Sequence, residues 1–248
     1  MKKTNNLDAL PLVVLLLSAA AAFARWLLYL AAVDEKGLLI RGHFWQWVLW
    51  ILCVTTVVAV LPILKQKGSN LYAHNFSPST SAALGSVFMA FCLLMTIFSG
   101  NPMPRSTLVT LWYLSGCLSV AGLIHAAFSL KSGAVPFIVN YTLLCLFFAM
   151  HMVSRYQSWS GIPQAQNWIF SLLGIVGLIL CAYQRAAFCT GKGHRRSYLI
   201  THLLTLFCCC TALPHTDSFW LYLGGCIWAA TGLCRILPVP EPDPEERA

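Results

Sequence analysis

The chain of 248 residues is short of charge, since Asp, Glu, Lys and Arg together make up only 10% of it. A soluble domain of ordinary composition has about 25% charged residues. Hydrophobic residues account for 58% of the chain, and the mean hydropathy is +0.70. One water-soluble core cannot bury that much apolar surface. The shortage of charge therefore excludes a soluble domain and predicts an integral membrane protein embedded in a lipid bilayer.

Acidic residues are missing from the middle of the apolar segments. Asp8, Asp34, Glu35 and Asp217 lie at segment ends or in loops, and the other four acids lie within residues 238–248. Proton- and sodium-coupled carriers usually depend on buried carboxylates or on exposed backbone carbonyls. Only the second of these options is open to this chain.

Motifs for metal binding and catalysis are also missing. The chain has 11 cysteines, but it contains no Cys-x-x-Cys, no His-x-x-x-His and no Glu-x-x-His pattern. Such patterns are the local signs of metal sites. Size and hydrophobicity exclude a secreted disulfide scaffold, and no Ser/His pair or acidic dyad indicates an enzyme. We therefore expect no metal, no cofactor and no enzymatic activity.

Eight apolar runs approach the roughly 20 residues that a membrane-spanning helix needs. They cover residues 9–33, 43–64, 80–99, 107–129, 135–154, 168–188, 198–213 and 219–237. The runs are apolar on all sides, whereas the strands of a membrane barrel are shorter and alternate in polarity. The predicted fold is an all-α, polytopic transmembrane bundle of eight helices, the seventh of them short and ending at Pro214.

The basic residues predict the orientation of the chain. With the N-terminus inside, eleven of the 16 lysines and arginines fall on the inner side and four on the outer side, with Arg25 inside the first helix. Such an excess marks the cytoplasmic side. All tryptophans except Trp228 fall toward the outer side. We expect a cell-membrane protein with both termini cytoplasmic. Because the basic residues are dispersed over short loops, nucleic-acid binding is excluded.

The first helix also resembles a signal peptide. Lys2 and Lys3 precede the run "LPLVVLLL", and the small residues of "AFA" precede Arg25, as in a cleavable leader. The apolar run continues to Val33, and this favours an uncleaved helix. Cleavage would leave the other seven helices oriented as predicted.

Similar short segments recur in the two halves of the chain. "YLSGC" at 113–117 matches "YLGGC" at 222–226, and "ALPLVV" at 9–14 matches "AVPFIV" at 134–139. Ordered matches of this kind are typical of an internal duplication. The predicted repeats are residues 1–132 and 133–237, followed by a tail at 238–248. Because each unit has four helices, the repeats should be parallel and related by an axis along the membrane normal.

Small residues predict where helices touch. They recur at i, i+4 and i+7 in the fourth and eighth helices, at Ser115, Ser119 and Gly122 and at Gly225, Ala229 and Gly232. Such spacing lets helix backbones approach closely in lipid. We expect these two helices to pack near the twofold axis.

Four polar residues within the helices are candidates for a ligand or a pathway: Arg25, Asn140, Thr142 and His151. Arg25 either extends its guanidinium to the headgroups or meets an anion or carbonyl in an outward-facing cavity. The other three either line a path or form hydrogen bonds between helices.

The loop at 191–196 contains Lys192, Arg195 and Arg196, a candidate docking site for another membrane protein. The tail at 238–248 alternates proline with acid and cannot form a core. It is either solvated or docked on this loop.

Three function classes remain open. The leading hypothesis is a non-enzymatic accessory or sensory membrane subunit, which needs only helices and a docking loop or tail. The second is a permease-like bundle that binds or passes a small solute between its halves. The third is an intramembrane enzyme, for which we find no motif.

Overall fold

The computed structural model describes residues 9–34, 39–40, 42–65, 71–99, 107–159, 161, 168–214 and 216–237. The helices within these residues are α1 (Leu10–Ala31), α2 (Phe44–Val60), α3 (Tyr72–Asn75), α4 (Thr80–Phe98), α5 (Thr107–Ser132), α6 (Ile138–Trp159), α7 (Ile169–Cys189), α8 (Arg195–Ala212) and α9 (Phe219–Leu233). In this part of the chain, β-structure is limited to two isolated bridges, Val33 with Leu39 and Phe76 with Ile236. The all-α prediction is confirmed.

Six helices are long and apolar enough to cross a membrane. They are α1, α2 with its extension to Leu64, and α4 to α7. The predicted multi-pass membrane character is supported by these six. Of the remaining long helices, α8 begins with Arg195 and Arg196, and α9 is apolar but has only 15 residues.

Local sequence explains several helix ends. The hydroxyl of Ser79 accepts a hydrogen bond from the N–H of Ala82 at 3.2 Å and caps α4, as N-terminal serines commonly do. Pro62 lies in the 3₁₀ turn Leu61–Lys65 that follows α2, because proline lacks the N–H that would continue an α-helix. Gly133 follows α5 with a φ of 79°, a conformation that favours glycine.

The helices α4 to α9 form a closed ring. Each packs against the next along the chain, and α9 packs back against α4. The first two helices lie outside this ring, where α1 packs against α8 and α2 packs against α1. The middle of the ring is filled by large side chains that are almost completely buried, including Trp112, Phe147, Phe148, Tyr222 and Trp228. Ile51, Val54 and Val58 are among the apolar side chains of α2 that point outward, as expected for a lipid-facing helix.

The helix contacts do not follow the predicted twofold symmetry. The predicted repeat pairs α4 with α8 and α5 with α9. Because α4 packs against α9, twofold symmetry would require α8 to pack against α5. Among the described residues, α5 and α8 form no extended contact. Likewise, α5 and α9 both pack against α4 but not along each other. The reason is that α1 and α2 lie outside the ring, while the helices predicted to match them, α6 and α7, belong to it. The duplication remains a prediction from sequence.

The predicted small residues are nevertheless buried at helix contacts. Gly122 packs against Asn140 of α6, Gly225 against Leu178 of α7, and Gly232 against α7 and α8. Ser115, Ser119 and Ala229 are also buried. These positions therefore mark close packing within the ring, but not a contact between α5 and α9. The tail at 238–248 and residues 1–8 lie outside the described residues.

Candidate functional site

Several arginines lie inside the bundle. Five of them are at most 8% exposed: Arg25, Arg155, Arg185, Arg195 and Arg235. Removing a charged side chain from water is costly unless polar groups or counter-charges surround it. Arg25 and Arg155 lie at one end of the bundle, which we name the Asp217 end. The other three lie at the opposite end, which we name the Arg185 end.

At the Asp217 end, Arg155 forms an ion pair. Its Nη1 lies 3.5 Å from Oδ2 of Asp217, and its Nη2 donates to the backbone carbonyl of Asp217 at 3.5 Å. The Arg155 side chain is 8% exposed and the Asp217 side chain is 77% exposed. A carboxylate that stays in solvent therefore balances the buried guanidinium.

Arg25 does not reach the surface, since it is 1% exposed. Its Nη1 donates to the carbonyl of Thr211 at the end of α8, at 2.9 Å. The guanidinium lies over two rings, 5.6 Å from the centre of Tyr29 and 5.3 Å from that of Phe170. It also borders a cavity of about 20 Å³. The carbonyl of Thr211 is thus one partner of Arg25, and a role of Arg25 in a ligand site or a pathway stays a prediction.

His151 has a partner at each ring nitrogen. Its Nδ1 accepts from the indole Nε1 of Trp112 at 3.2 Å, and its Nε2 lies 3.2 Å from Oγ of Ser218. Because the indole can only donate, the proton of a neutral His151 belongs on Nε2. The ring stacks with those of Trp112 and Phe147. His151 thus links α5, α6 and the segment that precedes α9.

The other two pathway candidates lie on the outside of α6. Asn140 Nδ2 is 3.0 Å from Nδ1 of His125 at the surface. The hydroxyl of Thr142 is exposed and donates to the carbonyl of Ile138 at 3.1 Å. They lie near the start of α6, whereas Arg25 and His151 lie at the opposite end of the bundle. The structure does not bring the four candidates together.

At the Arg185 end, Arg185 connects three helices. Its Nε donates to Nε2 of His202 at 3.3 Å, and its Nη2 donates to the carbonyl of Trp228 at 3.1 Å. The guanidinium carbon lies 4.0 Å from the centre of the Trp228 ring, which is a close cation–π contact. His202 Nδ1 is 2.8 Å from the carbonyl of Tyr198. Since a carbonyl only accepts, His202 is neutral with its proton on Nδ1.

The connection between α2 and α4 covers this end of the bundle. Arg235 donates through Nη2 to the hydroxyl of Tyr72, and its guanidinium carbon lies 4.2 Å from the centre of the Phe76 ring. Arg195 donates to Oδ1 of Asn75 at 3.4 Å and to the carbonyl of Leu237. The end of α9 is therefore held against the connection by side chains as well as by the bridge between Phe76 and Ile236.

A small cavity lies between these groups. It has a volume of about 10 Å³ and is lined by Tyr72, Phe76, Tyr141, Arg185, Phe188, Tyr198 and Arg235. Among the described residues, Nη1 of Arg185 and Nε of Arg235 are buried and have no hydrogen-bond partner. Within the described part of the chain, two guanidinium groups thus each have an N–H group without a partner, and the side chain of Tyr141 lies close to Arg185.

Sequence reasoning missed this site because it counted Arg185 and Arg235, near the ends of the helices predicted at 168–188 and 219–237, only as charges that mark the cytoplasmic side. The available signal was that both arginines are surrounded by apolar residues, in "AYQRAAF" and "GLCRILP". A charge within an apolar run is a functional candidate by default.

The predicted docking loop is divided by the structure. Lys192 and Arg196 are exposed, whereas Arg195 is buried against Asn75. Two of the three basic side chains are therefore at the surface.

In the part of the chain that the structure describes, no three His, Cys, Asp or Glu side chains are grouped so that they can hold a metal ion. Comparison of the chain with known protein families, curated proteins and solved structures finds no match. Function must therefore be inferred from the site itself.

Proposed function

We propose that this chain is a multi-pass protein of the cell membrane and acts as a non-enzymatic accessory or sensory subunit. In this proposal all eight long helices cross the bilayer, both termini are cytoplasmic, and the Arg185 end faces the cytoplasm. The packing of α8 and α9 within the closed ring supports their placement in the membrane. The distribution of lysine and arginine supports the orientation.

The observation that carries the proposal is the position of the polar groups. The buried charged side chains lie at the two ends of the bundle, while the middle of the ring is filled mainly by apolar and aromatic side chains, with isolated hydroxyls such as those of Ser119 and Thr205. A permease needs a polar path that connects the two sides. A sensory subunit needs only a site at one end that links several segments. The contacts of Arg185 and Arg235 link α7, α8, α9 and the connection before α4.

An accessory role also needs a surface for a partner. Lys192 and Arg196 are exposed near the start of α8. Basic side chains of this kind suit an acidic cytoplasmic segment of another membrane protein, because rim charges direct association. The lipid bilayer is the second partner, and nucleic acid is not a partner.

Flux and cross-linking measurements test the proposal. We expect the purified protein in liposomes to pass chloride and small neutral solutes no faster than protein-free liposomes do. Cross-linking in cells should capture a defined membrane protein, and its recovery should fall in a Lys192→Glu, Arg196→Glu double variant. Lys131→Glu is the matched control, because Lys131 is exposed in the last turn of α5. Protein-dependent flux would overturn the proposal in favour of a permease.

A further inference from the structure

We propose that the cavity between Arg185 and Arg235 binds a single inorganic anion of halide size, which in a cell is chloride. This inference goes beyond the proposed function and gives its sensory role a ligand. Binding itself depends only on the geometry of the Arg185 end.

The first argument is charge. The cavity is lined by two buried guanidinium groups. The acidic residues in the described part of the chain are Asp34 and Asp217. Asp217 pairs with Arg155 at the opposite end, and Asp34 follows α1 at that same end. No described carboxylate therefore balances the two arginines, and a bound anion would do so.

The second argument is the kind of polar group that lines the cavity. Arg185 and Arg235 each have a buried N–H without a partner among the described residues, and a guanidinium can only donate. The hydroxyl of Tyr72 accepts a hydrogen bond from Arg235, so its own proton remains to be donated. The side chain of Tyr141 lines the same cavity. A set of groups dominated by donors suits an anion and excludes a cation.

The third argument is size. A cavity of about 10 Å³ is at the lower limit for one particle of the size of water, so a halide, which is somewhat larger than water, requires a small outward shift of the surrounding side chains. Tetrahedral oxyanions such as sulfate and phosphate are larger than that. The rings of Phe76 and Phe188 form part of the wall. These rings make that part of the wall apolar, and an ion between them would lose its water on that side.

Gly232 fixes the shape of the site. A β-carbon at this position would lie 2.3 Å from Nη2 of Arg185 and 3.1 Å from the hydroxyl of Tyr198. Glycine therefore allows the guanidinium to lie against α9 and to face the cavity. Because the walls come from the connection before α4 and from α6 to α9, an anion between them would link all of these segments.

Thermal unfolding of the detergent-purified full chain tests the proposal. We would compare sodium chloride, sodium bromide, sodium sulfate and sodium gluconate at equal ionic strength, since a ligand that binds only the folded state raises the unfolding midpoint. We expect a saturable rise of several degrees with chloride and bromide, and none with sulfate or gluconate. Arg235→Gln should abolish this rise, and Arg196→Gln, at the exposed arginine of the same end, should preserve it.

A milder variant keeps the test decisive if Arg235→Gln does not fold. Tyr72→Phe removes one hydroxyl donor and retains the ring, so the chloride concentration for half the effect should rise by roughly tenfold. An unchanged concentration would overturn the assignment of Tyr72 to the site.

Three results would overturn the proposal as a whole. Equal stabilisation by sulfate or phosphate would indicate a larger oxyanion. A chloride response that appears only after deletion of residues 238–248 would mean that carboxylates of the chain itself occupy the position. The absence of any response, with and without that deletion, would exclude the site. A chloride response without a captured partner would support the anion site and count against the accessory role, so the two proposals fail separately.

Discussion

The two ends of the bundle hold buried arginine by different means. At the Asp217 end, Arg155 lies 3.5 Å from a carboxylate that remains largely in solvent. At the Arg185 end, the partners of Arg185 are an imidazole nitrogen, a backbone carbonyl and the face of an indole ring. Asp217 neutralises the positive charge of Arg155. The partners of Arg185 are uncharged groups, so its positive charge is not neutralised by them.

This difference shows that burial of an arginine does not reveal its role. An ion pair with an exposed carboxylate contributes little to stability and is weakened by salt. A guanidinium that lacks a nearby carboxylate keeps a strong positive potential in a region of low dielectric constant. The Arg185 end is therefore the place where an external anion would have the larger effect.

The largest effect is expected when one arginine is removed from each end. Arg185→Ala should destabilise the protein by about 3 kcal/mol or more, because His202 and Trp228 lose a buried donor and a cavity remains. Arg155→Ala should cost less than half as much, since its partner returns to water. Thermal unfolding in detergent measures both. Equal losses would mean that the two ends are energetically alike.

A smaller effect is expected from adding one methyl group at each end. Gly232→Ala should cost about 1–3 kcal/mol, because the new β-carbon would lie 2.3 Å from Arg185 Nη2 and the guanidinium must move. At Gly161, near the Asp217 end, the nearest atom to a β-carbon is the Ser158 carbonyl oxygen at 3.9 Å. Gly161→Ala is therefore the control and should be near neutral in the same unfolding measurement. A tolerated Gly232→Ala would argue against this position of Arg185.

The hydrogen bonds of the Asp217 end can be tested at Ser218. Ser218→Ala removes the partner of His151 Nε2 and should cost about 1 kcal/mol. The change should also weaken the link between α6 and α9, which hydrogen exchange of the segment around Ser218 measures. Unchanged exchange there would contradict a structural role for the His151 contacts.

The smallest effect should follow from Asp217→Asn. We expect a loss below about 1 kcal/mol, because the carboxylate is 77% exposed and such pairs are weak. High salt should remove most of the difference from the unchanged protein. A loss of several kcal/mol, insensitive to salt, would show that the carboxylate is the main counter-charge for the buried arginines.

Much of the fold was predictable because apolar runs and helices nearly coincide in a membrane protein. The run at 80–99 corresponds to Thr80–Phe98, and the run at 168–188 corresponds to Ile169–Cys189. The larger errors have physical causes. The helix predicted at 135–154 extends to Trp159, because Arg155 forms its ion pair with Asp217 from within the helix. The helix predicted to begin at 198 begins at Arg195, whose side chain donates to Asn75.

The site was not predictable in the same way. From sequence alone, Arg185 and Arg235 only indicate which side of the membrane is cytoplasmic. The connection between α2 and α4, which covers the site, has no apolar periodicity that would predict its position. The hydrogen bond between Tyr72 and Arg235 joins positions 163 residues apart, and nothing in the local pattern of either segment indicates the other. The matched segments of the two halves likewise do not determine which neighbours a helix has, and the duplication stays a prediction from sequence.

The long-range closure of the Arg185 end has a consequence for biogenesis. The hydroxyl of Ser77 donates to the carbonyl of Arg235 across 158 residues, so the connection before α4 leaves the ribosome long before its partner exists. Its polar groups must remain solvated or be shielded until α9 has been synthesised and packs against α4. The contacts of this end that involve Arg235 can therefore form only after α9 has been synthesised.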